Sequence, residues 1–364
     1  MVLRGPQGLQ SVVFLSLTGL PMLLYVHVPF CSTRCRYCAF HSIPLGRGVD
    51  AATSPVVRDY VDTLFLELAH WGDELGGSEV QTVFFGGGTP SLLSPRIIGL
   101  TMERINKYFK LAPKAEVTLE ANPESLRGGH RAAQYLDVGI NRLSIGVQSM
   151  DEGMLRLLGR PHKAQDSLHV AFLAREAGCA NINLDLMWGL PGQSVRQWLQ
   201  TLKDVMRMSP DHISAYGLTV EPGTPLELDV EDGRLILPTE RDQNIMFMEG
   251  AALLEQQGYL HYEISNFARM GFQCRHNMGY WEGEDYLGFG PSATSTIGGQ
   301  RWTNPASQRA WDMRARDGSL GQEVEVLDAQ TRVLELLMLR LRTSRGLQVK
   351  AYREMTGRDF VRDH

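Results

Sequence analysis

Cysteine is scarce in this chain: five residues in 364, and an odd number. A disulfide framework of the kind that staples small secreted domains is therefore excluded, and a reducing compartment is expected. An excess of positive charge is also missing. Thirty-six Lys and Arg against 41 Asp and Glu leave a formal charge of −5, which gives no general attraction for nucleic acid. Nor is there an unbroken apolar run of the roughly 20 residues that a membrane-spanning helix needs. The nearest approach, SVVFLSLTGLPMLLYV at residues 11–26, is interrupted by Gly19 and Pro21, and no small-residue cleavage site marks it as a secretory signal. Residues 1–22 are expected to be an unstructured or spurious extension, with Met22 a suitable alternative start. The cytoplasm is the expected compartment; an organellar matrix follows if the extension is a transit peptide. Repeats and low-complexity tracts are absent.

What is present is alternation. Apolar, β-rich runs recur at 23–30 (LLYVHVPF), 80–88, 115–123, 142–149, 181–190 and 212–220. Between them lie stretches of helical period. Val61, Leu64, Phe65 and Leu68 keep one stripe, and Ile98, Met102, Ile105 and Phe109 another. Strands this continuously apolar, separated by helices, predict a parallel sheet covered by helices. Six such units predict an α/β fold, a partial (β/α)6 barrel over 23–236, rather than a closed eightfold one. A helix is expected at 239–258. The region 237–328 reads as an extension rich in glycine and aromatic residues. From Ala329 to Leu341 a stripe of Val333, Leu336, Leu337, Arg340 and Leu341 opens a smaller α-rich C-terminal domain, 329–364, which resembles an incomplete winged helix. Arg340, Arg342, Arg345, Lys350 and Arg353 make this end basic, but Asp359 and Asp363 interrupt it. A solvated face, not a nucleic-acid interface, is expected there.

Polar residues gather where the strands end. Cys31, Cys35 and Cys38 follow the first strand; Gly86, Gly87, Gly88 and Thr89 end the second. Glu120 and Asn122 end the third, Gln148 the fourth, Asp185 the fifth. A parallel barrel presents all these ends on one face, so five segments predict one site. The spacing C-x3-C-x2-C suits a zinc ion or an iron–sulfur cluster, and His41 extends it to a Cys3His set. Spacing alone leaves both open.

YVHVPFCSTRCRYC together with FFGGGTP resembles the radical S-adenosylmethionine (SAM) superfamily. Within it, EANPES, RLSIGVQS, GRPH, NLDLMWGLPGQ and HNMGYW resemble the oxygen-independent coproporphyrinogen III oxidase group of porphyrin biosynthesis, and its HemW-type branch of heme chaperones most of all. The similarity runs from Leu23 through nearly the whole chain. It implies that Cys31, Cys35 and Cys38 ligate a [4Fe–4S] cluster whose fourth iron takes the amino and carboxylate groups of SAM. It implies that Tyr25 and Tyr37 line the cofactor and that Gly87, Gly88 and Thr89 approach its methionine part. Glu120, Gln148, Arg160 and Asp185 match the remaining cofactor contacts. Reduction of the cluster would cleave the sulfonium to methionine and a 5′-deoxyadenosyl radical. Arg34 and Arg36 are either solvated loop residues or an attraction for an acidic electron donor such as a flavodoxin or ferredoxin.

Two functions follow from the resemblance. One is a coproporphyrinogen dehydrogenase-type oxidoreductase that decarboxylates propionates by radical abstraction. The other is a carrier that binds heme and delivers it to acceptor proteins, membrane proteins among them. Two features favour the carrier. Phe40 stands where the oxidases have a further cysteine, and the leader before the first strand is short. HNMGYW matches the carrier branch's HNxxYW signature, which implies that His276 is the axial heme ligand and that Tyr280 and Trp281 stack on the porphyrin. Cys274 is a competing thiolate or, more ordinarily, a buried free cysteine.

Overall fold

The computed structural model describes residues 21–363. All of the expected N-terminal extension except Pro21 and Met22 lies outside them. The six expected strands form at β1 (Met22–Val28), β2 (Glu79–Gly87), β3 (Lys110–Ala121), β4 (Arg142–Gln148), β5 (Ile182–Trp188) and β6 (His212–Gly217). They lie side by side in chain order and are all parallel. Strands with both faces covered cannot alternate polar and apolar residues, which is why they read as nearly continuous apolar runs. Leu24, Val26, Val83, Phe85, Leu119, Ile145, Leu184 and Ile213 are buried in one core beneath the helices.

Helices cover that outer face. On α1 (Pro55–Leu75), Val61, Leu64 and Leu68 are buried as the stripe predicts, while Phe65 is half-buried and carries the Arg104 guanidinium 3.5 Å above its ring. On α2 (Pro95–Tyr108), Ile98, Met102 and Ile105 face the core, and Phe109 follows the last turn, also buried. The expected helix at 239–258 spans Glu240–Gln256, and the Thr239 hydroxyl caps it by accepting the Asp242 N–H.

The chain after β6 extends the sheet at both edges. A hairpin of β7 (Leu260–Glu263) and β8 (Asn266–Ala268) adds beyond β6. At the other edge β9 (Tyr286–Phe289) lies parallel to β1. It is followed by antiparallel β10 (Thr294–Ile297), β11 (Gln300–Thr303) and β12 (Glu325–Val326). The resulting order is β12-β11-β10-β9-β1-β2-β3-β4-β5-β6-β8-β7, a sheet of 12 strands.

The C-terminal part is helical as expected, with the Ala329–Arg340 helix packed on Val349–Thr356 around a small core of Val333, Leu336 and Tyr352. Its predicted stripe needs one correction. Leu341 lies just past the helix and is 71% exposed, and Arg340 turns instead to Glu282, whose carboxylate is 3.6 Å away. No helix among the described residues is long and apolar enough to cross a membrane.

Candidate functional site

The loop after β1 is held before it reaches its cysteines. Phe30 is buried edge-on against Tyr60, at 5.3 Å between ring centres. A short parallel pairing returns the chain beside it: the Ile43 N–H donates to the Pro29 carbonyl and the Leu45 N–H to that of Cys31, at 2.6 and 2.8 Å. Farther along, the Arg36 N–H donates to the Leu158 carbonyl (3.1 Å) and the Arg36 carbonyl accepts from Leu226 (3.0 Å). The three thiols so positioned are half-buried and unpaired.

They form one wall of a cavity of about 580 Å³ at the C-terminal ends of the strands. Tyr37, Gly87, Gly88, Thr89, Glu120, Gln148, Arg160 and Asp185 line the same cavity, so eleven of the thirteen residues expected at the site meet there. The glycines are steric requirements. A Cβ on Gly88 would lie 2.6 Å from the Phe30 carbonyl oxygen, and one on Gly87, where φ is +110°, would lie 2.6 Å from the His27 ring. Gln148 adopts φ +65° although it is not glycine, at a register shift in β4. Such strain concentrates at binding sites, where surrounding structure holds it in place.

A hydrogen-bonded chain joins two of the thiols. The Thr89 hydroxyl donates to Cys31 Sγ (3.7 Å) and accepts from Asn122 Nδ2 (2.9 Å). Asn122 Oδ1 accepts from Arg160, which also donates to the Gly146 carbonyl (2.9 Å) and to Cys35 Sγ (3.5 Å). Burial opposes the Arg160 charge, but Tyr37, Cys35 and Glu124 around it keep the guanidinium firmly protonated. Burial pushes the Cys31 and Cys38 thiols up, against the hydrogen bond from Thr89 in the first case, so a bound cation is what would draw out their thiolates.

Across the cavity Asp185 is fixed by the Ser144 hydroxyl (2.9 Å) and Asn183 Nδ2 (2.8 Å). Among the described residues Glu120 receives only the Gly87 N–H, at 3.1 Å. Burial, followed by the nearby Asp185 charge, raises its pKa to about 8. Ser144 and Tyr216 also line the cavity. Reasoning from the sequence passed over both, because inside apolar strands they read as core; a lone polar residue in such a run was the available signal.

The donor set fits a cluster better than one ion. Among the described residues no three His, Cys, Asp or Glu side chains are grouped to hold a single metal ion. His41 does not complete a Cys3His set but sits 6.1 Å from the His27 ring. Three half-buried thiols on one wall, a half-buried cation donating to one of them, and space beside a glycine-lined strand end suit a cubane with an open corner and a ligand of nucleoside size.

Two expected residues stand apart. Tyr25 is absent from this cavity; its hydroxyl meets His27 Nδ1 at 3.1 Å and its ring lies parallel to Phe84. His276 lies on α9 (Arg275–Glu282; α3 to α8 are the intervening helices Arg131–Asp137, Glu152–Leu157, Ala164–Glu176, Val195–Met206, Pro225–Glu231 and Glu240–Gln256). Glu116 accepts the first amides of α9, those of Arg275 and His276, both at 3.1 Å, where the helix dipole favours a carboxylate. The His276 side chain is 1% exposed. Its Nδ1 is 2.7 Å from Thr82 Oγ1, its Nε2 3.0 Å from the Tyr280 hydroxyl, and its ring stacks on Phe84. Burial, then the Arg142 charge, lowers its pKa to about 3. In this arrangement neither ring nitrogen is open to iron. Cys274 is fully buried with its thiol pushed up to about 12 by burial, the ordinary free cysteine rather than a thiolate ligand.

Residues 25–205 match the radical SAM superfamily. The heme chaperone HemW of Bacillus subtilis is 34% identical over 338 residues, which cover 92% of this chain and 87% of that protein. The Escherichia coli protein of the same name is 40% identical over 277 residues, 76% of this chain and 70% of its own length. A mitochondrial radical S-adenosyl methionine domain-containing protein 1 from Bos taurus is 43% identical over 270 residues, 74% of this chain, and the chain spans only 59% of it. In fold, the coproporphyrinogen III oxidase HemN of E. coli superposes with a TM-score of 0.78 over 93% of this chain and 80% of that one, at 24% identity. The chain belongs to the HemW family of radical SAM proteins.

Proposed function

We propose that this chain is a heme chaperone: it binds a [4Fe–4S] cluster through Cys31, Cys35 and Cys38, takes SAM at the open iron, binds heme and passes it to acceptor proteins. The observation that carries the cofactor part is the meeting of three half-buried thiols, a glycine strand end, Glu120, Asp185 and Arg160 in one cavity. Cluster and SAM, when bound, supply one-electron reductive chemistry; the chain's own residues do the rest. Arg160 stabilises negative charge at Cys35 by donating to its sulfur. Gly87 and Gly88 let this strand end pack closely against His27 and Phe30, which sets its backbone at the cavity wall. Glu120 and Asp185 offer acceptor oxygens to the polar groups of the nucleoside and amino acid. The heme part rests on the HemW relatives, which are named heme chaperones, and on Phe40, which denies this loop the further cysteine of the oxidases. The cytoplasm or an organellar matrix is the proposed setting, with an acidic electron donor as partner.

Anaerobically purified protein is expected to be brown and to contain iron and sulfide, and Cys35→Ala is expected to lose both. Colourless protein with one zinc per chain would overturn the cluster. The reduced protein with SAM is expected to bind heme and to leave coproporphyrinogen unchanged. Its conversion to protoporphyrinogen would make the chain an oxidase instead.

A further inference from the structure

The inner face of the sheet, turned away from the helices, carries a connected chain of polar side chains that stops at the cofactor cavity. Residues two apart on a strand share a face, so Asn183 and Asp185 of β5 lie together, as do His212 and Ser214 of β6. Register sets Asn183 beside both Ser144 and His212, and Asp185 beside Ser214. Asp185 lines the cavity that holds the cysteines. Asn183 and His212 do not line it, and both are buried. Polar groups at this depth persist only where partners satisfy them.

The direction of each bond in this chain follows from its neighbours. A carboxylate oxygen accepts, so the group 2.8 Å from Asp185 Oδ1 is the Asn183 amide nitrogen, which also lies 2.7 Å from Ser144 Oγ and 3.1 Å from Ser214 Oγ. The Asn183 oxygen therefore faces the other way, 2.6 Å from His212 Nδ1, and the Ser214 hydroxyl donates to it as well, at 3.2 Å. Burial, then the Arg142 charge, holds the His212 pKa well below the ordinary histidine value, so the ring is neutral and carries one hydrogen. The nearby amide oxygen places that hydrogen on Nδ1. Nε2 is left to accept from the Tyr262 hydroxyl at 2.7 Å, and the Tyr262 oxygen accepts the Cys274 N–H at 3.2 Å, one residue before α9 begins. Turning the Asn183 amide over would bring its oxygen to the place now held by the nitrogen, 2.8 Å from an Asp185 oxygen, and two acceptors would face each other.

We infer that His212 is a positioning residue for the SAM site: by donating to Asn183 Oδ1 it keeps the Asn183 amide nitrogen turned to Asp185, and so fixes the carboxylate that meets the ligand. This rests on the reading of the cavity as a SAM site with Asp185 among its contacts, and adds a residue that acts on the ligand only through Asp185. Tyr262 secures the histidine from behind by donating to its other nitrogen, so one hydrogen-bonded frame runs from the start of α9 to the cofactor cavity.

The test is SAM binding by calorimetry on the cluster-loaded protein, with iron and sulfide measured in every variant. His212→Asn and His212→Gln both remove the ring, but an asparagine amide nitrogen takes the place of Nδ1 and a glutamine amide nitrogen that of Nε2. His212→Asn should bind SAM within about threefold of wild type, and His212→Gln should bind about tenfold more weakly, the scale of one misdirected hydrogen bond to a charged group. Each is repeated in an Asp185→Asn background, where the difference between them should vanish because the residue they act through has changed. Tyr262→Phe keeps its ring and should weaken SAM binding about threefold, again only where Asp185 is present; it reads the same link if a His212 variant fails to hold its cluster. Equal affinities in His212→Asn and His212→Gln, or a difference that survives in Asp185→Asn, would reduce His212 to a packing role and overturn the inference while leaving the SAM site intact. For Tyr262→Phe, wild-type affinity would overturn it likewise. Wild-type protein that holds its cluster and does not bind SAM would overturn the site and the inference together.

Discussion

Two glutamates, one buried in the helical layer and one half-buried in the barrel mouth, are treated differently by the fold. Glu67, on α1, is fully buried and surrounded by donors. The Gly290 N–H and Asn304 Nδ2 each lie 2.7 Å from its oxygens, and Trp311 Nε1 lies at 3.0 Å. Burial raises its pKa, and these donors pull it back, to about 7. Among the described residues Glu120 receives a single N–H and faces another carboxylate, and its pKa stands at about 8. The structural carboxylate has its acceptor capacity filled from within. The site carboxylate has spare capacity, and that unspent capacity is what a ligand entering the cavity can use.

The comparison breaks first at Glu67. Glu67→Ala strands three buried donors at once, and a cost on the order of 3 to 5 kcal/mol is expected from the penalty of unsatisfied buried groups. Urea unfolding followed by circular dichroism reads it; a loss below about 1 kcal/mol would show that the donors find other partners and that the two glutamates are not distinct in kind. Glu120→Gln should do the reverse. Its amide oxygen can still accept the Gly87 N–H, so stability should change by about 1 kcal/mol or less. SAM binding by the cluster-loaded variant, followed by calorimetry, should weaken about tenfold, the scale of one altered hydrogen bond to a charged ligand.

The same substitution fixes the pH dependence. Glu120 has a folded pKa of about 8 against an ordinary 4.5, so the folded state keeps its proton longer than the unfolded one. The stability tied to that proton is complete below about 4.5 and is lost as the pH rises through about 8. Wild-type protein should therefore lose stability more steeply than Glu120→Gln between those limits. Parallel curves would mean that Glu120 is already ionised in the folded protein.

Strand ends were legible because their chemistry contradicts their setting. Cysteine, glycine and carboxylate at the ends of apolar runs have no packing role to fill, and seven of them (Cys31, Cys35, Cys38, Gly87, Gly88, Glu120 and Asp185) meet in one cavity. Asn122, noted only as a strand end, turns out to link Thr89 to Arg160. His276 and Tyr25 were read from motifs, and a motif carries no information about depth. Both sit in the barrel interior because β1 turns Tyr25 inward beside Phe84 and because Glu116 draws the start of α9 over the barrel end. Ser144 and Tyr216 were hidden by the opposite error, apolar neighbours making polar residues look like core. Residue period gives which face is buried, but the sheet alone decides what that face encloses.

The smallest effect tests where a stripe stops. Periodicity assigned Leu336 and Leu341 to one buried face, yet Leu336 is 3% exposed and Leu341 is 71% exposed. Leu341 keeps helical backbone and donates its N–H to the Leu337 carbonyl, but five residues after Leu336 it lies roughly 140° round the helix from it, away from Tyr352. Leu336→Ala should cost about 2 to 4 kcal/mol of the local stability of this small core, the usual range for a buried leucine. Leu341→Ala should fall within about 0.5 kcal/mol of wild type. Native-state hydrogen exchange of the amides in the Val349–Thr356 helix reads both, since that helix packs on Leu336 through Tyr352. Equal losses from the two would mean that Leu341 folds back onto the core in solution and that the sequence stripe, not the exposed position, describes its place.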